Sequence, residues 1–479
     1  MKKEDLFESL SEIDEKEVFK AGSYQVKSAP QRGWLKWAAL AACAVFIAVI
    51  GIFIHSHNKK IDNKYPEGVT KVMALYPDPV AINMSAKDYE DDDLRYAWRK
   101  EVIKKAEISA VFNSKLKDYY MNIMSQILAS DDENTVCSPL NTYFAFAILA
   151  DVSGGQSREQ ILGALGMDDI YELRENVKAL WESNYADTPA IKSILANSLW
   201  LRKGFEFNKN ELDILAKDYY ASLFSGKPGS KDMNKALQVW TDQNTGGLLK
   251  DYIGKMELDP NTVFSIVSTI YYKAQWDNDF YEGATRKETF HGTKGDTEVD
   301  MMHGNEPSMG VYRTEDFTAV SLSVKDSGEM HFILPTEGED VNALLSNQDI
   351  FKAIIYEEND QNRFYPRVNM SIPKFRVSAE TDLIETMKKL EITDVFGDNA
   401  DFSSLLTDSD NVRVTKADHV AMVEIDEEGV TGAAYTHIDS SGSAERQEEV
   451  IDFILDRPFM FVVTGMDGSI LFAGIVRNI

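Results

Sequence analysis

Glu424-Ile425-Asp426-Glu427-Glu428-Gly429-Val430-Thr431-Gly432-Ala433-Ala434-Tyr435-Thr436 is the stretch on which the reading of this chain turns. It follows a strand pattern, Val412 to Ile425, and passes from three acids through a glycine into small and β-branched residues. Side chains along a strand alternate faces, so Val430, Gly432, Ala434 and Thr436 share one face and Thr431, Ala433 and Tyr435 the other. Every residue on the first face is compact, which lets such a segment enter the core side of a sheet. Gly429 supplies dihedral freedom for a chain reversal. Alone, the segment reads by default as an acidic surface turn.

The surrounding chain narrows the choice. Its 479 residues are 44% hydrophobic and 11% aromatic, enough for a large core and for two to four domains or one unusually large one. Fifty Lys plus Arg against 78 Asp plus Glu give a net charge of −28, which makes nucleic acid and anionic membrane surfaces poor partners. Cys43 and Cys137 form neither a disulfide framework nor a zinc-ligand pair, so no metal is expected. The seven histidines are scattered, with only His55 and His57 close together, and these fit a solvated spacer. The G-x-S-x-G, H-E-x-x-H, G-x-G-x-x-G and P-loop patterns are absent, and the expectation is a protein that is not an enzyme.

Residues 1–36 read as a polar tail. Residues 37–54 form 18 positions without a charge, preceded by Trp34 and opened by Trp37, a candidate transmembrane helix. The 36 polar residues before this run favour a retained anchor over a cleaved signal peptide. Leu40-Ala41-Ala42-Cys43 is similar to a bacterial lipobox, but eleven apolar residues follow the cysteine, where that motif has them before it. Lysines flank both sides of the run, so orientation rests on the long C-terminal body, which a signal-anchor places outside the cell. Residues 55–105, with Pro66, Pro77, Pro79 and the acids Asp88 to Asp93, read as a stalk entering a helix near Tyr96 to Lys105.

The body, 106–479, opens with a helix marked by Phe112, Leu116, Tyr119, Tyr120, Ile123 and Ile127. Ser138-Pro139 reads as an N-cap and first-turn proline for Leu140 to Ala150. Ser157 with Gln160 forms a capping box for a helix closed by Gly166. Strand patterns then dominate: Ile194–Leu201, Val263–Tyr272, Val320–Val324, His331–Leu334, Val368–Val377, Val412–Ile425, Phe459–Thr464 and Ile470–Val476, interrupted by a helix Leu383–Leu390. Helices first and non-alternating strands later predict an α+β body with a large sheet.

With these motifs in order, the segment around Gly429 closely resembles the hinge of serpins. Asn134 to Leu149 resembles the family's entry to its second helix, and Ala196-Asn197-Ser198-Leu199-Trp200 its third large-sheet strand. Trp240 to Gly247 resembles its "T-x-G" segment, and Ile270-Tyr271-Tyr272-Lys273-Ala274-Gln275-Trp276 its "I-x-F-K-x-x-W". Thr289-Phe290-His291 and Met301-Met302 follow. Ile372-Pro373-Lys374-Phe375 resembles "L-P-K-F", and Arg457-Pro458-Phe459 with Phe472-Ala473-Gly474 the C-terminal signature. The resemblance covers Glu107 to Ile479.

It implies a serpin fold: N-terminal helices, a five-stranded large sheet, two smaller sheets and an exposed reactive loop. It implies suicide trapping, in which a serine protease cleaves the loop, becomes acylated, and is dragged away as the loop inserts into the sheet. The hinge would comprise Glu427, Glu428, Gly429, Val430, Thr431, Gly432, Ala433, Ala434, Tyr435 and Thr436. Tyr435 departs from the usual small residue, on the outward parity. Residues matching the shutter beneath the sheet are Ser138, Asn141, Ser268 and His419, and Trp276 matches the breach at its top. The family commonly has serine at position 141 and asparagine at 268, so this chain has exchanged amide and hydroxyl within one cluster. Family spacing sets the scissile bond at Ser443-Ala444, suited to elastase-like or subtilisin-like pockets; Arg446-Gln447 is the alternative, suited to trypsin-like ones. The expectation is a monomeric, membrane-anchored, bacterial-type inhibitor facing outward, with no cofactor. A serpin-fold binding protein or protease substrate without inhibition is the alternative.

Overall fold

The computed structural model describes residues 65–479 except 75, 77–83, 248, 355–359, 408–411 and 431–448. The polar tail, the apolar run 37–54, the hinge from Thr431 onward and both candidate bonds, Ser443-Ala444 and Arg446-Gln447, lie outside the described residues.

After a one-turn helix, Ala86–Tyr89, five longer helices dominate the first part of the described body: α1 (Asp92–Asn113), α2 (Lys117–Leu128), α3 (Pro139–Val152), α4 (Gly155–Leu165) and α5 (Ile170–Asn184). Two more, α6 (Lys209–Asp218) and α7 (Lys231–Asn244), separate strands. Ser138 caps α3 by accepting the Asn141 N–H, and Pro139 occupies the first turn, where its missing N–H costs nothing. α3 is apolar on nearly all sides and correspondingly buried on nearly all sides, lying against the large sheet. Among the described residues no helix is long and apolar enough to cross a membrane.

The large sheet contains β1 (Thr70–Val72), β2 (Ile191–Arg202), β3 (Ala221–Gly226), β4 (Phe264–Gln275), β5 (Phe375–Asp382), β6 (Asp418–Ile425) and β7 (Gly429–Val430), in the order β1-β3-β2-β4-β7-β6-β5. β2 and β4 pair antiparallel from Ile191↔Ala274 to Leu201↔Phe264, and β5 and β6 from Phe375↔Ile425 to Asp382↔Asp418. Five of these strands are the expected large sheet. The other members are β1, the short strand Ala186–Asp187 beside β2, and the hinge pair β7. Trp200 of β2 stacks on Phe224 of β3 at 4.1 Å, and Trp240 of α7 meets Trp200 edge-on, fixing α7 over this end of the sheet. A seven-stranded sheet holds Phe459–Thr464 and Ile470–Val476, every residue buried, as their unbroken apolar runs predict. A four-stranded sheet receives the chain after the loop, where Val450–Ile454 runs parallel to Arg367–Pro373.

Several boundaries differ from the sequence reading. The expected stalk joins the body from Tyr65 on. β1 pairs with β3, Tyr65 and Val69 are buried, and Tyr76 stacks on Trp181 at 5.4 Å. A three-residue edge strand among prolines leaves too short a pattern to read. The helix expected over Tyr96–Lys105 is the 22-residue α1, started by Asp91 accepting the Asp93 and Leu94 N–H groups. The capping box at Ser157 does not form, because Gly154 is the cap. Instead Ser157 Oγ accepts the Asp401 N–H, and Gln160 Oε1 accepts those of Thr393 and Asp394, tying α4 to a distant segment. The strand expected over Val368–Val377 breaks at Lys374 into two strands in different sheets, and the one expected from Val412 begins at Asp418.

Candidate functional site

β2 and β4 form one block of the large sheet, β5 and β6 another. Among the described residues these blocks meet in the sheet only through β7, where Val430 pairs with Ala274 of β4 and Ile425 of β6, and Gly429 with Gln275. β4 and β6 run in the same direction and, among the described residues, no ladder joins them directly below this point. Their arrangement is a pair of parallel strands bridged at one end by the hinge pair, and the line between them is termed the slot. Val430 is buried there with Ala274 and Ile425.

The turn into β7 is built by Asp426. Its Oδ1 accepts the N–H groups of Glu428 and Gly429 at 3.0 and 3.2 Å, and its N–H donates to the Gly429 carbonyl. Gly429 itself does not adopt a left-handed conformation, contrary to the expected dihedral role. Glycine is needed because a Cβ would lie 2.1 Å from the Ala274 carbonyl oxygen and 2.9 Å from Gln275 Cα. Trp276 Nε1 donates to the Asp426 carbonyl at 2.9 Å, and its backbone N–H to that of Glu428. Glu427 is buried with its carboxylate between Lys374 Nζ at 2.6 Å and Thr285 Oγ1 at 2.8 Å. Burial pushes this carboxyl upward, but the Lys374 and Thr285 hydrogen bonds together outweigh it and hold it below the ordinary range.

Ser268 of β4 and His419 of β6 each lie six residues along the slot from the Val430 level, roughly 20 Å at 3.3 Å per residue. The N-terminus of α3 connects them from behind. The Ser138 N–H donates to His419 Nε2 at 2.9 Å, Ser138 Oγ donates to the Leu471 carbonyl at 2.6 Å, and the Asn141 N–H donates to Ser138 Oγ. Asn141 Nδ2 donates to the Ser268 carbonyl at 3.2 Å, while the Ser268 hydroxyl faces both Asn141 Oδ1 and Asn197 Oδ1. Asn197 Nδ2 then donates to the Tyr219 carbonyl. The network therefore spans β6, α3, β4 and β2. Burial pushes the His419 imidazole down to about 4, so the ring is neutral and accepts through Nε2.

Ser138, Asn141, Ser268 and His419 thus lie in one hydrogen-bonded cluster, with the amide of Asn141 meeting the hydroxyl of Ser268. Trp276 sits apart, at the hinge end. Sequence reasoning quoted Asn197, Asp426 and Lys374 only as members of matched motifs, with no site role, and did not single out Thr285. The signal for Asn197 was a lone amide inside Ile194–Leu201, and that for Lys374 a cation breaking two strand patterns.

The family model for Serpin (serine protease inhibitor) matches residues 114–479. Human neuroserpin is 27% identical over 391 residues, covering 76% of this chain and 90% of its own length. A serpin-like protein of Thermococcus kodakarensis is 28% identical, covering 80% of this chain and 88% of its own. Among solved structures, the thermophilic serpin tengpin in its native state superposes with a TM-score of 0.68 at 23% identity, covering 76% of this chain and 93% of its own. Human thyroxine-binding globulin with thyroxine reaches 0.65 at 24%, covering 78% and 99%.

Proposed function

The chain belongs to the serpin family, and from that premise we propose that it inhibits serine proteases by suicide trapping. The observation that carries this reading is the hinge pair between the parallel strands β4 and β6, with Val430 already paired to both and buried. Continuing that antiparallel register would set Gly432 between Tyr272 and Val423, Ala434 between Ile270 and Ala421, and Thr436 between Ser268 and His419. All four loop residues are compact, so the slot can fill without a bulky or charged side chain entering the core.

Chemically, the protease's serine oxygen attacks the carbonyl of the bait residue. The peptide bond breaks, the new amine leaves with a proton, and an acyl ester remains on the protease. Insertion along β4 and β6 must then outrun hydrolysis. The spacing of fourteen residues from Gly429 favours Ser443-Ala444 as that bond, against elastase-like or subtilisin-like enzymes. The 18 uncharged residues 37–54 favour a single span holding the body outside the cell.

Incubation with pancreatic elastase, subtilisin and trypsin tests the mechanism. An SDS-stable covalent complex is expected with at least one, and mass spectrometry of the released peptide identifies the bond. Complete cleavage without a complex would leave a serpin-fold substrate or binding protein. Resistance of the full chain to alkaline extraction from membranes tests the anchor separately.

A further inference from the structure

Away from the slot, a cavity of about 400 Å³ opens beside the four-stranded sheet, bounded by the end of the strand Gly295–Glu306, by Phe317–Ser323 and by Arg363–Phe364. Its polar lining includes the carboxylates of Asp277, Glu306 and Glu329 and one cation, Arg363. Part of that arginine is engaged by neighbouring groups, while its charge also reaches Glu329 and partly offsets the effect of burial there. Its Nη2 donates to the carbonyls of Lys352 and Ala353 at 2.7 and 2.9 Å, at the end of the short helix Asp349–Ile354, and its guanidinium lies over the Tyr312 ring. Met309, Leu322 and Ile354 supply apolar wall, and the exposed ring of Tyr365 stands at the mouth.

We infer that this cavity binds an organic cation, a guanidinium or primary ammonium group on a short aliphatic stem. Three carboxylates oppose an anion, and an uncharged apolar occupant would cover the half-buried Glu306 and Glu329 without replacing their water. A cationic head can meet Glu306 and Glu329 while its stem lies along Met309 and Leu322, and an aromatic face at the entrance favours the same charge. Burial pushes the Glu306 and Glu329 carboxyls above their ordinary range, the direction expected of acids that a bound cation would relieve. The volume suits a small ligand or one long side chain with its flanking backbone.

Position suggests why such a site would matter. The Met309 N–H donates to the Pro366 carbonyl, and the next residue, Arg367, donates its N–H to the carbonyl of Glu449, where the chain re-enters the sheet after the loop. A basic side chain of a docked protein held in the cavity would therefore be held close to the loop's exit. This inference is independent of whether the loop inserts.

Isothermal titration of the full chain with agmatine, with N-acetyl-arginine methylamide and with N-acetyl-glutamate methylamide tests it. Saturable binding of the cations and none of the glutamate compound is expected. Agmatine alone binding identifies a free amine as the occupant; binding of both cations admits a protein side chain. The double variant E306Q/E329Q should bind about tenfold more weakly, the scale of one lost charge-assisted hydrogen bond. Y365A, altering an exposed ring, should weaken binding about threefold and guards against misfolding of the double variant. Absence of saturable binding by either cation, or affinity unchanged in both variants, overturns the inference.

Discussion

His419 Nε2 accepts the backbone N–H of Ser138 at 2.9 Å, so β6 is fastened to the first turn of α3 by a lone pair that a proton would remove. Burial holds the imidazole at about 4 against an ordinary 6.5. The unfolded chain binds this proton more readily than the folded one. Stability from the neutral ring is therefore complete above pH 6.5, declines below it, and is lost as pH falls through 4, about 3 kcal/mol in all. Urea midpoints should fall over that window. His419→Gln, whose amide oxygen can still accept from Ser138, should flatten the slope. An unchanged slope in the variant would assign the titration elsewhere.

At Gly429 the argument is contact rather than titration. A methyl group there would press on the Ala274 carbonyl and Gln275 Cα, backbone atoms that cannot rotate away. Gly429→Ala should break the bridges that seat β7, at a cost of about 1–3 kcal/mol. Its partition with a target protease should shift from covalent complex toward cleaved substrate, read as a raised stoichiometry of inhibition. A stoichiometry equal to wild type would mean that these bridges do not guide insertion.

Parity makes a sharper comparison. Val430 is buried between Ala274 and Ile425, and strand alternation in the sequence would give its neighbour Thr431 the opposite parity. Val430→Arg should abolish the covalent complex and leave a substrate, because a charge would have to enter the core. Thr431→Arg should retain most inhibition. Equal behaviour of the two variants on denaturing gels would remove the face assignment on which the insertion mechanism rests.

Both C-terminal strands of the seven-stranded sheet were legible to the residue, because a strand buried on both faces has an uninterrupted apolar run. The same logic failed for β1, whose three residues at a sheet edge carry no periodicity, and for Ser157, whose hydroxyl answers a backbone N–H more than 240 residues away. The cluster residues could be picked out by resemblance, but Asn197, though it lies in a matched motif, was given no part in the cluster. It completes the cluster only through the register that sets Asn197 opposite Ser268, and register is a tertiary property. At the hinge, glycine was read as a dihedral device, whereas what requires it is the close approach of the Ala274 carbonyl. Close approach of β4 leaves no trace in a single sequence.

A second titration works in the opposite direction to that of His419. Asp151 is fully buried and takes both hydrogen bonds of Arg174, at 2.7 and 2.5 Å, while Glu211 of α6 lies 3.9 Å from the same guanidinium. Two acids share one cation, and burial, with Asp151 nearby, raises the Glu211 carboxyl to about 8. Here the folded state holds the proton. The stabilising contribution is complete below about 4.5 and is lost as pH rises through 8. Glu211→Gln should match wild type near pH 5 and exceed it at pH 9 by on the order of 1–3 kcal/mol. Chemical denaturation at both values checks the sign, and a variant weaker at pH 9 would place the proton on another group.

Asn141 and Ser268 offer the most direct test of the slot's floor. The Asn141 amide donates to the Ser268 carbonyl, and the Ser268 hydroxyl donates toward Asn141 Oδ1, so the two side chains fit as a matched pair. Asn141→Ser alone removes the amide and leaves the Ser268 carbonyl without that donor. Ser268→Asn alone sets two amides into space shaped for an amide and a hydroxyl. The double variant restores one of each. Each single change should therefore destabilise the body and accelerate spontaneous loss of inhibitory activity, and the double variant should recover much of both. The expected coupling energy is about 1–3 kcal/mol, of the sign that makes the pair better than the sum. Asn197 stays in place throughout, its Oδ1 facing position 268 in every variant, which keeps the cycle confined to the exchanged pair. Strictly additive effects in denaturation would show that the two positions act separately, and the reading of a compensated exchange would fall.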